Sequence, residues 1–85
     1  MPSPAQKRTA RLLRVDPKTI DPQLHHEAVK AVRAKSYIAY NAMSHCCPNQ
    51  MLDNIPYMTA VAVTYQFLID NPPFSQKKKY NIVLL

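Results

Sequence analysis

An 85-residue chain with 47% hydrophobic residues and a net charge of +6 holds one small domain, and its composition excludes wholesale disorder. It contains no glycine. P-loops, dinucleotide fingerprints and nucleophile elbows are thereby excluded, since each needs glycine for positive φ or for close backbone approach.

The same absence weakens a helix-turn-helix, whose tight turn often uses glycine. Helix ends are expected to rely on asparagine, proline or fraying. The two cysteines, Cys46 and Cys47, are adjacent, so an ordinary disulfide framework is ruled out and a bridge between them would be a rare object. They point to an intracellular, reducing compartment, or to two cysteines buried as small apolar residues.

Charge is unevenly placed. Residues 1–35 hold eight Lys/Arg against Asp16, Asp21 and Glu27, residues 36–76 hold only Asp53 and Asp70, and Lys77–Lys79 form a second basic patch before an apolar tail. This asymmetry suits phosphates, acidic lipid or an acidic protein surface, and it also serves as a solvated face that keeps a small apolar protein dispersed.

In chain order, Ser3-Pro4-Ala5-Gln6 has the form of a capping box with proline in the first turn, predicting a helix from Pro4 to about Val15. Its periodicity puts Lys7, Arg11 and Arg14 within about 60° of one another, with Arg8 beside them and Ala5, Leu12 and Leu13 opposite. An organellar presequence shares this acid-free, Arg-rich composition, which would direct the chain to the mitochondrial matrix. Because the run is short, a retained basic arm over residues 1–15, preceding a single domain over 16–85, is the preferred reading.

Asp16-Pro17 predicts one turn, and Asp21-Pro22 opens a long amphipathic helix to about His45. Leu24, Ala28, Val32, Ala39, Ala42, Met43 and Cys46 share its apolar side, and Lys35 violates that stripe. Cys47-Pro48 ends it. Met51–Leu52 suggests a short turn, and Asp53 is placed to cap the segment that follows.

Residues 55–69, IPYMTAVAVTYQFLI, carry the highest concentration of large apolar side chains and two conflicting periods. As a strand, Val61, Val63, Tyr65, Phe67 and Ile69 alternate with Ala60, Ala62, Thr64, Gln66 and Leu68. Residues 59–69 would then pair with 79–85 in a C-terminal hairpin, giving an α+β fold. As a helix, the segment exceeds the common strand length of about five or six residues, and it offers the apolar partner that the preceding helix requires. The helical reading is preferred. It gives a mainly α domain of a basic N-terminal helix, a long amphipathic helix and an apolar central helix, with an extended C-terminal tail.

Catalytic and metal-binding chemistry finds little footing. His26 and His45 on one helix would stand about 28 Å apart at 1.5 Å per residue, too far for one ion. The spacings of the metalloprotease and deaminase signatures are absent. His45, Cys46 and Cys47 alone are too few ligands for zinc unless two chains meet. Asp53 and Asp70 sit at opposite ends of one segment, and no third group orients His45 with Cys46. No enzyme, metal or cofactor is expected.

What remains is binding. Lys7, Arg8, Arg11 and Arg14, with Lys77, Lys78 and Lys79, are the candidate contacts for nucleic-acid phosphates, and Tyr37 and Tyr40 could stack on bases. The competing reading is a homodimer or an assembly subunit of a larger, possibly organellar complex. It would dock through Tyr57, Val61, Tyr65, Phe67, Leu68, Ile82 and Leu84. No uncharged run reaches the ~20 residues of a transmembrane helix.

Overall fold

The computed structural model describes residues 2–47 and 52–71. These residues form α-helices and short 3-10 turns, with no strand among them. The first helix, α1 (Pro4–Leu13), starts as its sequence requires. Ser3 Oγ accepts the Gln6 amide and Gln6 Oε1 accepts the Ser3 amide, each at 3.1 Å, so two otherwise orphaned donors are satisfied.

A 3-10 turn over Pro17–Thr19 follows, capped by Asp16, and then α2 (Pro22–Arg33). Asp21 Oδ1 accepts the amides of Gln23 and Leu24 at 2.9 and 3.3 Å. Each proline stands in a first turn, where its missing N–H costs nothing.

The expected single helix from Pro22 to His45 is two helices, α2 and α3 (Tyr37–Cys46). The break is a left-handed cap at Lys35, φ 51°. The Lys35 amide donates to Val32 O at 3.1 Å and the Ser36 amide to Ala31 O at 3.0 Å, the two closing bonds of a Schellman motif. This explains the misfit of Lys35 in the apolar stripe. The reversal carries it out of the helical register, and its Nζ meets Asp53 Oδ1 at 2.8 Å.

Arg14, φ 60°, ends α1 in the same way, its amide on Arg11 O at 3.2 Å and the Val15 amide on Ala10 O at 3.0 Å. The expectation that helix ends would rely on asparagine, proline or fraying is therefore corrected at both sites, where Arg14 and Lys35 take the left-handed cap. A side chain with a Cβ pays roughly 1 kcal/mol for that conformation. Arg14→Gly is expected to raise stability by about 0.5–1 kcal/mol, read as a higher urea midpoint at unchanged slope. A lower midpoint would show that the arginine side chain contributes more than its backbone strain costs.

The apolar segment is α4 (Tyr57–Asp70), which overturns the strand alternative for 59–69. Residues 79–85 lie outside the described residues. Pro56 is the N-cap, its carbonyl accepting the Ala60 amide at 3.0 Å. Asp53 does not cap this helix: it lies in the 3-10 turn Leu52–Asn54, engaged by Lys35. At the other end Asn71 Nδ2 donates to Phe67 O at 2.8 Å and covers one of the orphaned carbonyls.

Helices α1, α2 and α3 all pack on α4. The start of α2 lies by Tyr65 and its end by Ile55 and Ala60, so α2 runs antiparallel to α4. The start of α3 lies by Asp53 and its end by Phe67, so α3 runs parallel to it. The core mixes small residues with large ones: Ala10, Ala28, Ala31, Ala39, Ala42 and Ala60 are buried together with Ile20, Met43, Leu52, Tyr65, Phe67 and Leu68, and Val61 is wholly buried. Small contact residues let helix axes approach toward the short end of the 8–10 Å range. Thr9 and Ala10 of α1 are buried in this core.

Candidate anion-binding face

The core-facing side of α1 carries Thr9 and Ala10, with Leu13 half-buried. At 100° per residue the opposite side carries Lys7, Arg8 and Arg11, all exposed. Arg14 is also exposed, but it lies beyond the helix end, so the helical clustering expected of it with Lys7 and Arg11 does not apply.

Residues 1–15 contain no carboxylate. The ion pairs among the described residues are Lys30–Glu27 at 3.9 Å and Lys35–Asp53 at 2.8 Å, which leaves the four cations of this region without an acidic partner. Arg11 stands in the last turn of α1, where the helix dipole favours positive charge. Lys77, Lys78 and Lys79 lie outside the described residues.

The residues proposed for a protein interface divide. Val61, Tyr65, Phe67 and Leu68 are buried under the chain's own helices, so they offer no surface to a partner. They read as interface residues because a helix apolar nearly all round looks uncovered until three neighbours are placed on it. Tyr57 is exposed, and Ile82 and Leu84 lie outside the described residues. Tyr37 and Tyr40 are exposed on α3, a different helix from the basic face.

Sequence reasoning missed the polar group behind the basic helix. His25 is buried; its Nε2 lies 2.7 Å from Thr9 Oγ1, and its ring packs against Tyr65 with centroids 5.9 Å apart. The Asp21 amide donates to the Tyr65 hydroxyl at 2.9 Å. One chain of contacts thus joins α1, α2 and α4, and burial pulls the His25 ring below its ordinary affinity for a proton. The available signal was spacing: His25, Ala28 and Val32 fall on one helical side, as do Thr9 and Leu13.

The remaining reactive side chains are dispersed. His45 is exposed and lies against Phe67, ring centroids 5.3 Å apart. Cys46 and Cys47 are bridged to each other, Cys46 exposed and Cys47 half-buried, so the pair is neither apart nor wholly buried as expected. Among the described residues no three His, Cys, Asp or Glu side chains are grouped to hold a metal. Asp70 accepts from Gln66 Nε2 at 3.0 Å, at the far end of α4 from Asp53.

A shallow hollow of about 200 Å³ between Val32, Lys35, Asp53 and Tyr57 is smaller than the ~300–1,000 Å³ of small-molecule sites. No helix among the described residues is long and apolar enough to cross a membrane. Neither known protein families, curated proteins nor solved structures contain a match to this chain.

Proposed function

We propose that this is a small basic, non-enzymatic binding protein that contacts nucleic acid through the exposed side of α1, with Lys77–Lys79 in support. The observation that carries the reading is the set Lys7, Arg8, Arg11 and Arg14: all exposed, in a region without a carboxylate, and free of acidic partners among the described residues. Such cations neutralise phosphates and release condensed counterions, which gives affinity without sequence preference. The exposed side of α1 brings no aromatic ring with it, so backbone contact rather than base stacking carries the binding.

The four cations of residues 1–15 contribute about −3 to −4 to the log–log salt slope on duplex DNA, and Lys77–Lys79 steepen it further. Replacing Arg8, Arg11 and Arg14 together by alanine is expected to weaken binding by roughly a hundredfold or more at low salt and to reduce the magnitude of the slope by about 2.7. Fluorescence anisotropy over a salt series measures both, with circular dichroism to verify the fold. Undiminished binding by the triple variant would overturn the proposal.

A second reading, an assembly subunit or homodimer, draws on the exposed tyrosines Tyr37, Tyr40 and Tyr57, a residue type enriched at interfaces. Sedimentation of the same samples separates the two, since the nucleic-acid reading requires no self-association.

A further inference from the structure

The helix that carries the basic face has the fewest buried residues of the four helices α1 to α4. Its wholly buried residues are Thr9 and Ala10; Leu13 is half-buried, and Leu12 is 50% exposed. Little apolar area therefore holds α1 in place, and a larger share falls to the buried side-chain hydrogen bond between Thr9 Oγ1 and His25 Nε2 at 2.7 Å. Segments with few buried apolar contacts open locally before the rest of a domain unfolds.

From this geometry we infer that the Thr9–His25 contact is an acid-sensitive latch: placing a proton on the His25 ring releases α1 while α2, α3 and α4 stay packed. The inference stands on the packing of α1 and does not depend on what its basic side binds. A neutral imidazole satisfies the Thr9 hydroxyl as donor or acceptor. An imidazolium in the same place is a cation shut away from water, and the cheapest way to rehydrate it is to lift the helix that covers it.

The groups around the ring offer no counter-charge. From α1 it meets the Thr9 hydroxyl, and from α4 the Tyr65 ring, whose hydroxyl already accepts the Asp21 amide. On α2 itself, the Asp21 carboxylate is taken up by the amides of Gln23 and Leu24, and Glu27 is paired with Lys30. His26 is exposed, as are Lys7, Arg8 and Arg11 on the far side of α1. The tilted Tyr65 ring gives a cation only partial compensation.

The sign follows from linkage. Burial lowers the folded-state proton affinity of His25, so the closed form binds fewer protons than the open one. Closure of α1 is at full strength above the ordinary imidazole value of about 6.5 and weakens as pH falls below it, until the folded-state value is reached.

Amide hydrogen exchange on the intact chain, corrected for intrinsic pH dependence, tests this between about pH 7.5 and pH 5. Protection in α1 is expected to fall with pH within the window, at a slope no steeper than about tenfold per pH unit, while protection in α4 holds. His25→Gln keeps a polar group in reach of Thr9 and cannot titrate there, so it should remove the pH dependence. Thr9→Val should open α1 at every pH and bring the His25 titration, followed by NMR, back toward 6.5. Parallel loss of protection in α1 and α4, or an unchanged pH dependence in His25→Gln, would overturn the latch. If His25→Gln fails to fold, the parent chain's own α1-to-α4 protection ratio against pH still decides it.

Discussion

Replacing Val61 by aspartate is expected to abolish the cooperative thermal transition, while the same replacement at Ile69 leaves the protein folded. Val61 is 0% exposed and Ile69 is 41% exposed. A carboxylate forced into the Val61 site has no partner, and burying it or protonating it costs several kcal/mol, comparable to the whole stability of a domain this size. At Ile69 the carboxylate faces water, and the change stays within about 1 kcal/mol. The pair is diagnostic because a strand would place positions 61 and 69 on the same side and make the two variants alike. Circular dichroism melts of both variants settle it. Equal effects would refute the packing of α4.

The second large effect is expected from enlarging the alanine seam. Ala28 is wholly buried on the side of α2 that packs on α4. Ala28→Leu adds three carbons where helix axes are held close, at a cost of about 1–3 kcal/mol. That lowers Tm by on the order of 10 °C for a domain of this size. Leucine is a good helix former, so the loss would not come from α2 itself. A Tm within a degree or two of the parent would mean that the seam has unfilled room.

The features legible in the sequence were those decided by neighbours in the chain. Ser3 with Gln6, Asp16 with Pro17 and Asp21 with Pro22 each form their cap within a few residues, and the structure has all of them. The mainly helical class followed from the length of the apolar segment, despite its alternating Val61, Val63 and Tyr65. Breaks were harder to see. Lys35 is an ordinary helix former, and nothing adjacent marks it as a left-handed cap.

The candidate site divides in the same manner. The exposure of Lys7, Arg8 and Arg11 follows from helical period alone, which the local sequence supplies. The burial of Tyr65, Phe67 and Leu68 depends on three helices distant in the chain, and the Thr9–His25 bond joins residues sixteen apart on different helices. Such contacts leave only a weak trace in spacing.

The left-handed cap at Lys35 also sets the proportions of the molecule. Continued as one rod, residues 22–46 would extend about 37 Å, whereas the 14 residues of α4 cover about 21 Å. Nearly half of that rod would overhang into water with its alanine stripe bare. Folded back at Lys35, its two halves, of about 18 and 15 Å, instead both lie along α4 within its length. A single residue with positive φ thereby gives a short central helix two covering walls from one continuous stretch of chain.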